Sequence, residues 1–415
     1  MPTRLLLTSF LAVVLPAQER GEPPGPIHFD TFPVLDGPPL DVSAATAAAI
    51  DALLALQEGE PAEQWPYEGV YREDGGHLPV GYRVGGTAIV VLGLVAAPGF
   101  ADDARRVAAV ERGVAFVLRT LDAPRMQSGF EGTYDVRVWG HVYALTMLLR
   151  LQDHGLVPEA HREEVARRIP WLVEALTASA IPDSGGWNYS LPAGYRSPRN
   201  QASTFVTATA LQALFHAAAR GHAVDRDVLE QALAALERAR ARPGGYAYSA
   251  PRRSRADVAE DDLSAMDRTP GSAARDAVCE TTLLLAGRGD AVRLERAVER
   301  FFEHWEHLAV RKSRTGTHVA PYGIAPYYFL FGHVYAAQAI EQIDDPGRRD
   351  ELRATMRRVL ARSRDADGSW NDRQFLRSAG YGTALALLAL HMATLPKPPA
   401  WRPAEDDDGD APAAK

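Results

Sequence analysis

Two kinds of helical pattern alternate along the chain. In the first, apolar residues recur three and four positions apart with Arg and Glu on the other face, as at Val165, Ile169, Leu172 and Leu176. Segments 44–57, 105–121, 162–177, 227–241, 292–305 and 348–362 follow this pattern and predict helices with one wet face. In the second kind, segments 88–96, 144–151, 208–218, 282–286, 336–343 and 384–392 are apolar nearly all round, which suits a helix buried on every side. Each of these is aligned on a residue pair: Thr87-Ala88, Tyr143-Ala144, Thr209-Ala210, Thr281-Thr282, Tyr335-Ala336 and Thr383-Ala384. The order of parts repeats six times at uneven spacing, the mark of a helical repeat protein.

Six hairpins, each pairing a wet-faced outer helix with a fully apolar inner one, predict an all-α (α/α)6 toroid over residues 44–394, its inner helices lining a central cavity. An open α-solenoid has the same pattern without closure. Connections from inner to outer helices are short, as at 97–103, 222–226 and 288–291. Those from outer to inner helices, at 64–82, 127–135, 183–202, 243–272, 311–325 and 365–378, are long and rich in Gly, Trp and Tyr. All the long loops must share one face, and loops held by a rigid scaffold are where binding and chemistry concentrate.

At 415 residues and 46% hydrophobic, the chain can bury a large core. Residues 1–17 stand apart: Arg4, an apolar run over 5–15, then Leu15-Pro16-Ala17. The run falls short of the ~20 residues a membrane-spanning helix needs, so a cleaved secretory signal and an exported (periplasmic or extracellular) protein are expected. No later stretch reads as an integral membrane segment. Residues 18–43 read as an extended lead-in, and 395–415, carrying Glu405 to Asp408, as a disordered acidic tail. A single cysteine, Cys279, excludes an intrachain disulfide. A net charge of −8 argues against nucleic acid as a partner.

The turns Gln64-Trp65-Pro66-Tyr67, Gly185-Gly186-Trp187-Asn188-Tyr189, Gly244-Gly245-Tyr246 and Asp367-Gly368-Ser369-Trp370 each precede a small-residue helix. They resemble the repeats of the prenyltransferase and squalene-cyclase superfamily, above all its exported bacterial repeat proteins, over residues 44–394. The resemblance implies the toroid and an isoprenoid-type activity. The chain departs from it in lacking the Asp-x-Asp-Asp acid of the cyclases; Glu260-Asp261-Asp262 is the nearest run. The protein prenyltransferases hold zinc with an Asp and a Cys on one inner helix and a His on the next. By that likeness Asp276, Cys279 and His333 form a candidate zinc set, although the family spacing is Asp-x-Cys and here two residues intervene.

In the alignment above, Gly85, His141, Thr207, Cys279, His333 and Tyr381 form one layer around the cavity. The pentapeptide Gly-His-Val-Tyr-Ala occurs twice, placing His141 with Tyr143 and His333 with Tyr335. His141 and His333 thus join Cys279 as metal candidates, and Glu280 and Asp276 are the candidate catalytic acids. Arg137, Arg275 and Arg377 stand six residues before their aligned pairs, near helix N-termini where cations gain nothing from the dipole. They need anions, supplied either by the loop acids Asp135, Asp276 and Asp372 or by an anionic ligand. Aromatic residues crowd the same end, Tyr328 among them. Three functions stay open: a toroid binding a small-molecule or protein ligand at the cavity mouth, an isoprenoid cyclase or transferase, and a carbohydrate-active hydrolase or lyase. The last would draw its acid and base from Asp74, Glu131, Asp135, Asp276 or Glu280, about 5 to 9.5 Å apart.

Overall fold

The computed structural model describes residues 40–130, 136–189, 201–242, 244–313, 316–325, 327–371, 375 and 377–402. The expected signal, most of the lead-in and residues 403–415 lie outside them. Thirteen α-helices are described: α1 (Val42–Ala55), α2 (Val80–Ala96), α3 (Ala104–Thr120), α4 (Arg137–Asp153), α5 (Arg162–Ser179), α6 (Thr204–Ala219), α7 (Arg226–Ala239), α8 (Thr269–Leu285), α9 (Ala291–Glu303), α10 (Trp305–Ala309), α11 (Tyr328–Ile340), α12 (Pro346–Ser363) and α13 (Ser378–His391). No described helix is long and apolar enough to cross a membrane.

Five of the six outer helices start on an aspartate. Asp41, Asp103, Asp225, Asp290 and Asp345 accept hydrogen bonds from backbone N–H groups of the first turns of α1, α3, α7, α9 and α12. Each such cap satisfies donors that the helix leaves open and contributes about 1 kcal/mol. The segment expected as one helix over 292–305 breaks at His304, and the short helix α10 follows.

The inner helices α2, α4, α6, α8, α11 and α13 pack side by side, and the ring closes where α13 meets α2. That seam is tight. A Cβ on Gly93 of α2 would lie 2.9 Å from the Ala384 backbone of α13, so only glycine allows the approach. Outside it, α1 packs on α13, tied by Thr46 Oγ1 and His391 Nε2 at 2.9 Å. The fold is therefore a closed (α/α)6 toroid, not an open stack.

The Gly-Trp turns act as wedges between the two layers. Trp65, Trp187 and Trp370 are fully buried, and their indole N–H groups donate to the carbonyls of Leu53, Leu176 and Leu360 in the last turns of α1, α5 and α12. Their backbone N–H groups donate to Thr87, Thr207 and Thr383 of the paired inner helices, each at 3.0 Å. In the fourth hairpin Tyr246 takes the wedge position, and its N–H donates to Asp276. One side chain thus closes the end of an outer helix and fixes the height of its inner partner.

Candidate functional site

These bonds set the register of the repeats, and it differs from the alignment drawn on the small-residue pairs. Thr87, Thr207, Asp276 and Thr383 all face outward onto their wedges. His141 and His333 stand in the same outward layer: His141 meets the Met126 carbonyl at 2.8 Å, and His333 accepts from the Trp305 indole of α10 at 2.9 Å. The residues two positions earlier are Gly85, Trp139, Phe205, Ala274, Phe331 and Tyr381, of which Trp139 and Phe205 line the central pocket and Phe331 and Tyr381 pack on its rings. Two positions turn a helix by about 200°. The layer joining Gly85 and Tyr381 to His141, Cys279 and His333 therefore mixed inward with outward positions.

The zinc set fails on this geometry. Nδ1 of His333 donates to the Phe329 carbonyl at 2.8 Å while Nε2 accepts from Trp305, leaving no lone pair for a metal. Burial pushes both His141 and His333 down to about 4. Cys279 is buried with Sγ 4.0 Å from the Thr204 carbonyl, and burial raises its thiol well above the usual range. Among the described residues no three His, Cys, Asp or Glu side chains come together as a metal site.

Asp276 and Glu280 do not form an acid and base in the cavity. Asp276 accepts from the Tyr246 N–H at 3.1 Å and from the Ser272 hydroxyl at 3.1 Å, a structural role in the fourth wedge. Glu280, one turn on, lies on the outer side of α8 between Arg240 (3.9 Å) and Arg293 (3.7 Å). Burial raises the pKa of both carboxyls. The three arginines are spent on their own chain. Arg137 donates to the carbonyls of Gln127 and Phe130. Arg275 donates to those of Tyr246, Gly271 and Met266, and Arg377 pairs with Glu58 at 2.9 Å. The expected partners Asp135 and Asp372 lie outside the described residues, as do Glu131 and the side chain of Asp74.

What the loop face does offer is an aromatic pocket, open to solvent, at the N-terminal ends of the inner helices. Tyr67, Tyr71, Tyr82, Trp139, Tyr189, Phe205, Tyr248, Tyr327 and Tyr328 wall it, with Val70, Val136, Ala325, Thr317 and His318 at its edge. The rings meet at short centroid distances, 4.5 Å for Tyr67 with Tyr381 and 4.9 Å for Phe205 with Tyr327. Such pairs contribute about 0.5–1.5 kcal/mol each beyond burial. A hydroxyl chain runs along one wall, Tyr71 to Tyr189 at 3.1 Å and Tyr189 to Tyr248 at 2.6 Å. The buried Tyr328 hydroxyl has no hydrogen-bond partner. Arg275 lies behind this wall, its guanidinium 5.8 and 5.7 Å from the Tyr248 and Tyr328 ring centroids.

A partition of hydroxyls forms the floor. Tyr327 Oη accepts from the Trp139 indole at 3.0 Å and lies 3.2 Å from Tyr143 Oη, which lies 3.4 Å from Tyr335 Oη. Tyr381 donates to the Tyr327 carbonyl at 3.2 Å. Beneath Tyr143 and Tyr335 a second cavity, open to solvent at one end, lies among the C-terminal halves of α2, α4, α11 and α13. Of the residues expected to bind ligand, Tyr328 lines the upper pocket, Tyr143 and Tyr335 line the lower one, and Tyr381 supports the partition. His141, His333, Arg137, Arg275 and Arg377 line neither. Sequence reading missed Tyr71, Tyr82, Phe205, Tyr248 and His318 as pocket residues. In correct register the layer reads Gly85, Trp139, Phe205, Ala274, Phe331 and Tyr381, four aromatics in six, and a Cβ on Gly85 would lie 2.4 Å from the Trp139 ring.

The sequence matches no protein-family model, and no curated protein matches it. Solved structures do. The α-1,6-mannanase GH76A from Salegentibacter sp. HEL1_6 is similar with a TM-score of 0.51 and 10% identity, 85% of this chain covering 99% of that one. The type II terpene cyclase MstE from Scytonema, in complex with geranylgeranyl dihydroxybenzoate, gives 0.48 and 14%, with 85% and 97% covered. A protein from Actinoplanes gives 0.49 and 16%, with 86% and 100% covered. At such identities the similarity is one of fold. The class is the (α/α)6 toroid, as the ring of inner helices shows and the likeness to the GH76A mannanase supports.

Proposed function

We propose that this chain is an exported toroid that binds an uncharged, isoprenoid-like small molecule in the upper pocket. The observation that carries the reading is the composition of the wall. Nine aromatic rings face the space, and among the described residues that line it there is no carboxylate, guanidinium or ammonium group. Such a wall suits a hydrocarbon body, while the Tyr71–Tyr189–Tyr248 chain and the Tyr328 hydroxyl offer hydrogen bonds to one polar group. A sugar presents hydroxyls on every edge and would leave most of them unmet here.

Quenching of Trp139 fluorescence by geranylgeraniol and by α-1,6-mannotetraose separates the two. Saturable quenching by the alcohol, lost in Phe205→Ala, supports the reading. Binding of the tetrasaccharide alone overturns it. A second reading, a carbohydrate-active enzyme, rests on Asp135, next to the pocket residue Val136 in sequence, and Glu131, five residues before it. It requires mannan hydrolysis that Glu131→Gln or Asp135→Asn abolishes.

A further inference from the structure

We propose that the lower cavity is a second ligand site, for a single-chain amphiphile whose acidic head group meets Arg150 and whose apolar chain runs up to Tyr143 and Tyr335. This goes beyond the reading of the upper pocket and does not depend on it. Leu92, Val95, Leu385, Leu388 and Met392 form its walls and suit an apolar chain. Among the described residues that line it there is one guanidinium, that of Arg150, and no carboxylate.

The charge around Arg150 is unbalanced toward the cavity. Its nearest acid, Asp153, is 3.7 Å away but is held at 2.8 Å by His216 and at 3.7 Å by Arg220. Burial lowers the pKa of Arg150, so this cation lacks the solvation it would have on an open surface. An acidic head group would supply Arg150 with a charge-assisted pair in a poorly hydrated place.

The chain's own C-terminal segment shapes the entrance. Arg150 Nη2 donates to the Pro396 carbonyl at 3.1 Å, and Leu395, Pro396 and Pro398 form one side of the cavity. Beyond them the Trp401 N–H donates to the Leu285 carbonyl at 2.8 Å, and its ring stacks on Phe215 at 5.7 Å. Residues 395–402, expected as the start of a disordered tail, thus lie as a strap across the end of the barrel away from the long loops.

Titration calorimetry of the full chain with dodecanoate and with dodecan-1-ol tests the site. Wild type should bind dodecanoate saturably. Arg150→Gln should weaken dodecanoate by about tenfold and leave dodecan-1-ol unchanged. Leu388→Trp, or Val95→Phe if the first does not fold, should remove both by filling the space. Binding that persists in saturating geranylgeraniol assigns dodecanoate to the lower cavity, independently of what the upper pocket holds. No saturable binding to wild type, equal dodecanoate affinity in Arg150→Gln, competition by geranylgeraniol, or full binding in a folded cavity-filling variant would each overturn the proposal.

Discussion

Taking the pH from 7.5 to 5 should cost the fold about 4 kcal/mol through His141 and His333 alone. Both rings are 0% exposed, and burial takes each from 6.5 to about 4. The folded value lies below the unfolded one, so the neutral ring favours the fold. That contribution is complete above about pH 6.5 and is lost as the pH falls through about 4. At pH 5 the unfolded chain has protonated almost fully and the folded chain hardly at all, a difference of about 2 kcal/mol per ring. Against a typical total of about 5–15 kcal/mol this is a large share. Asp276 and Glu280, whose pKa values burial raises, act with the opposite sign, so the raw slope of stability is not the test. The test is the difference between wild type and the double variant His141→Gln, His333→Asn, by urea unfolding followed through tryptophan fluorescence at pH 7.5, 6 and 5. The gap between the two proteins should shrink by about 4 kcal/mol over that range. A constant gap would mean that the rings are not held neutral and that the outward packing assigned to them is wrong.

Trp187→Phe keeps the wedge's ring but leaves the Leu176 carbonyl without its donor, and should destabilise by about 1–3 kcal/mol in the same unfolding assay. Thr207→Val in that background should add less than it does alone, because the two groups share one turn; strict additivity would deny the wedge its joint role. Gly93→Val should prevent α13 from seating on α2, seen as loss of near-ultraviolet circular dichroism and a larger hydrodynamic radius. Normal values for that variant would mean the seam is looser than described. Cys279 should react with a thiol reagent only as fast as the protein unfolds, and labelling within seconds under native conditions would contradict its burial.

The hairpins were legible in the sequence because burial writes itself into periodicity: one wet face for α5, none for α6 or α13. Loop lengths gave the face carrying the aromatic pocket for the same reason, since a rigid ring forces all long connections to one end. The register was not legible. Thr87 and Thr383 were matched with Tyr143 and Tyr335 because each precedes an alanine, whereas their hydrogen bonds make them equivalents of His141 and His333. A helix that is apolar on every side carries no polarity mark to say which residue faces the axis. The arginines misled for a related reason. Sequence shows a cation near a helix start but not what the preceding loop turns toward it, and Arg275 finds the loop carbonyls of Tyr246 and Met266 and the Asp267 carboxylate at 3.4 Å.

The tryptophan wedges have a consequence for how such a ring can change. Each one grips the chain just after an outer helix ends and just before the loop departs, so tension or slack further along is not passed to the helices. The stretches from Trp65, Trp187 and Trp370 to their threonines differ in length, yet the three grips are alike to within a tenth of an ångström at the backbone bond. Loop tips on this face are thereby free to lengthen, shorten or be exchanged one at a time, and a new specificity can be fitted without rebuilding the barrel.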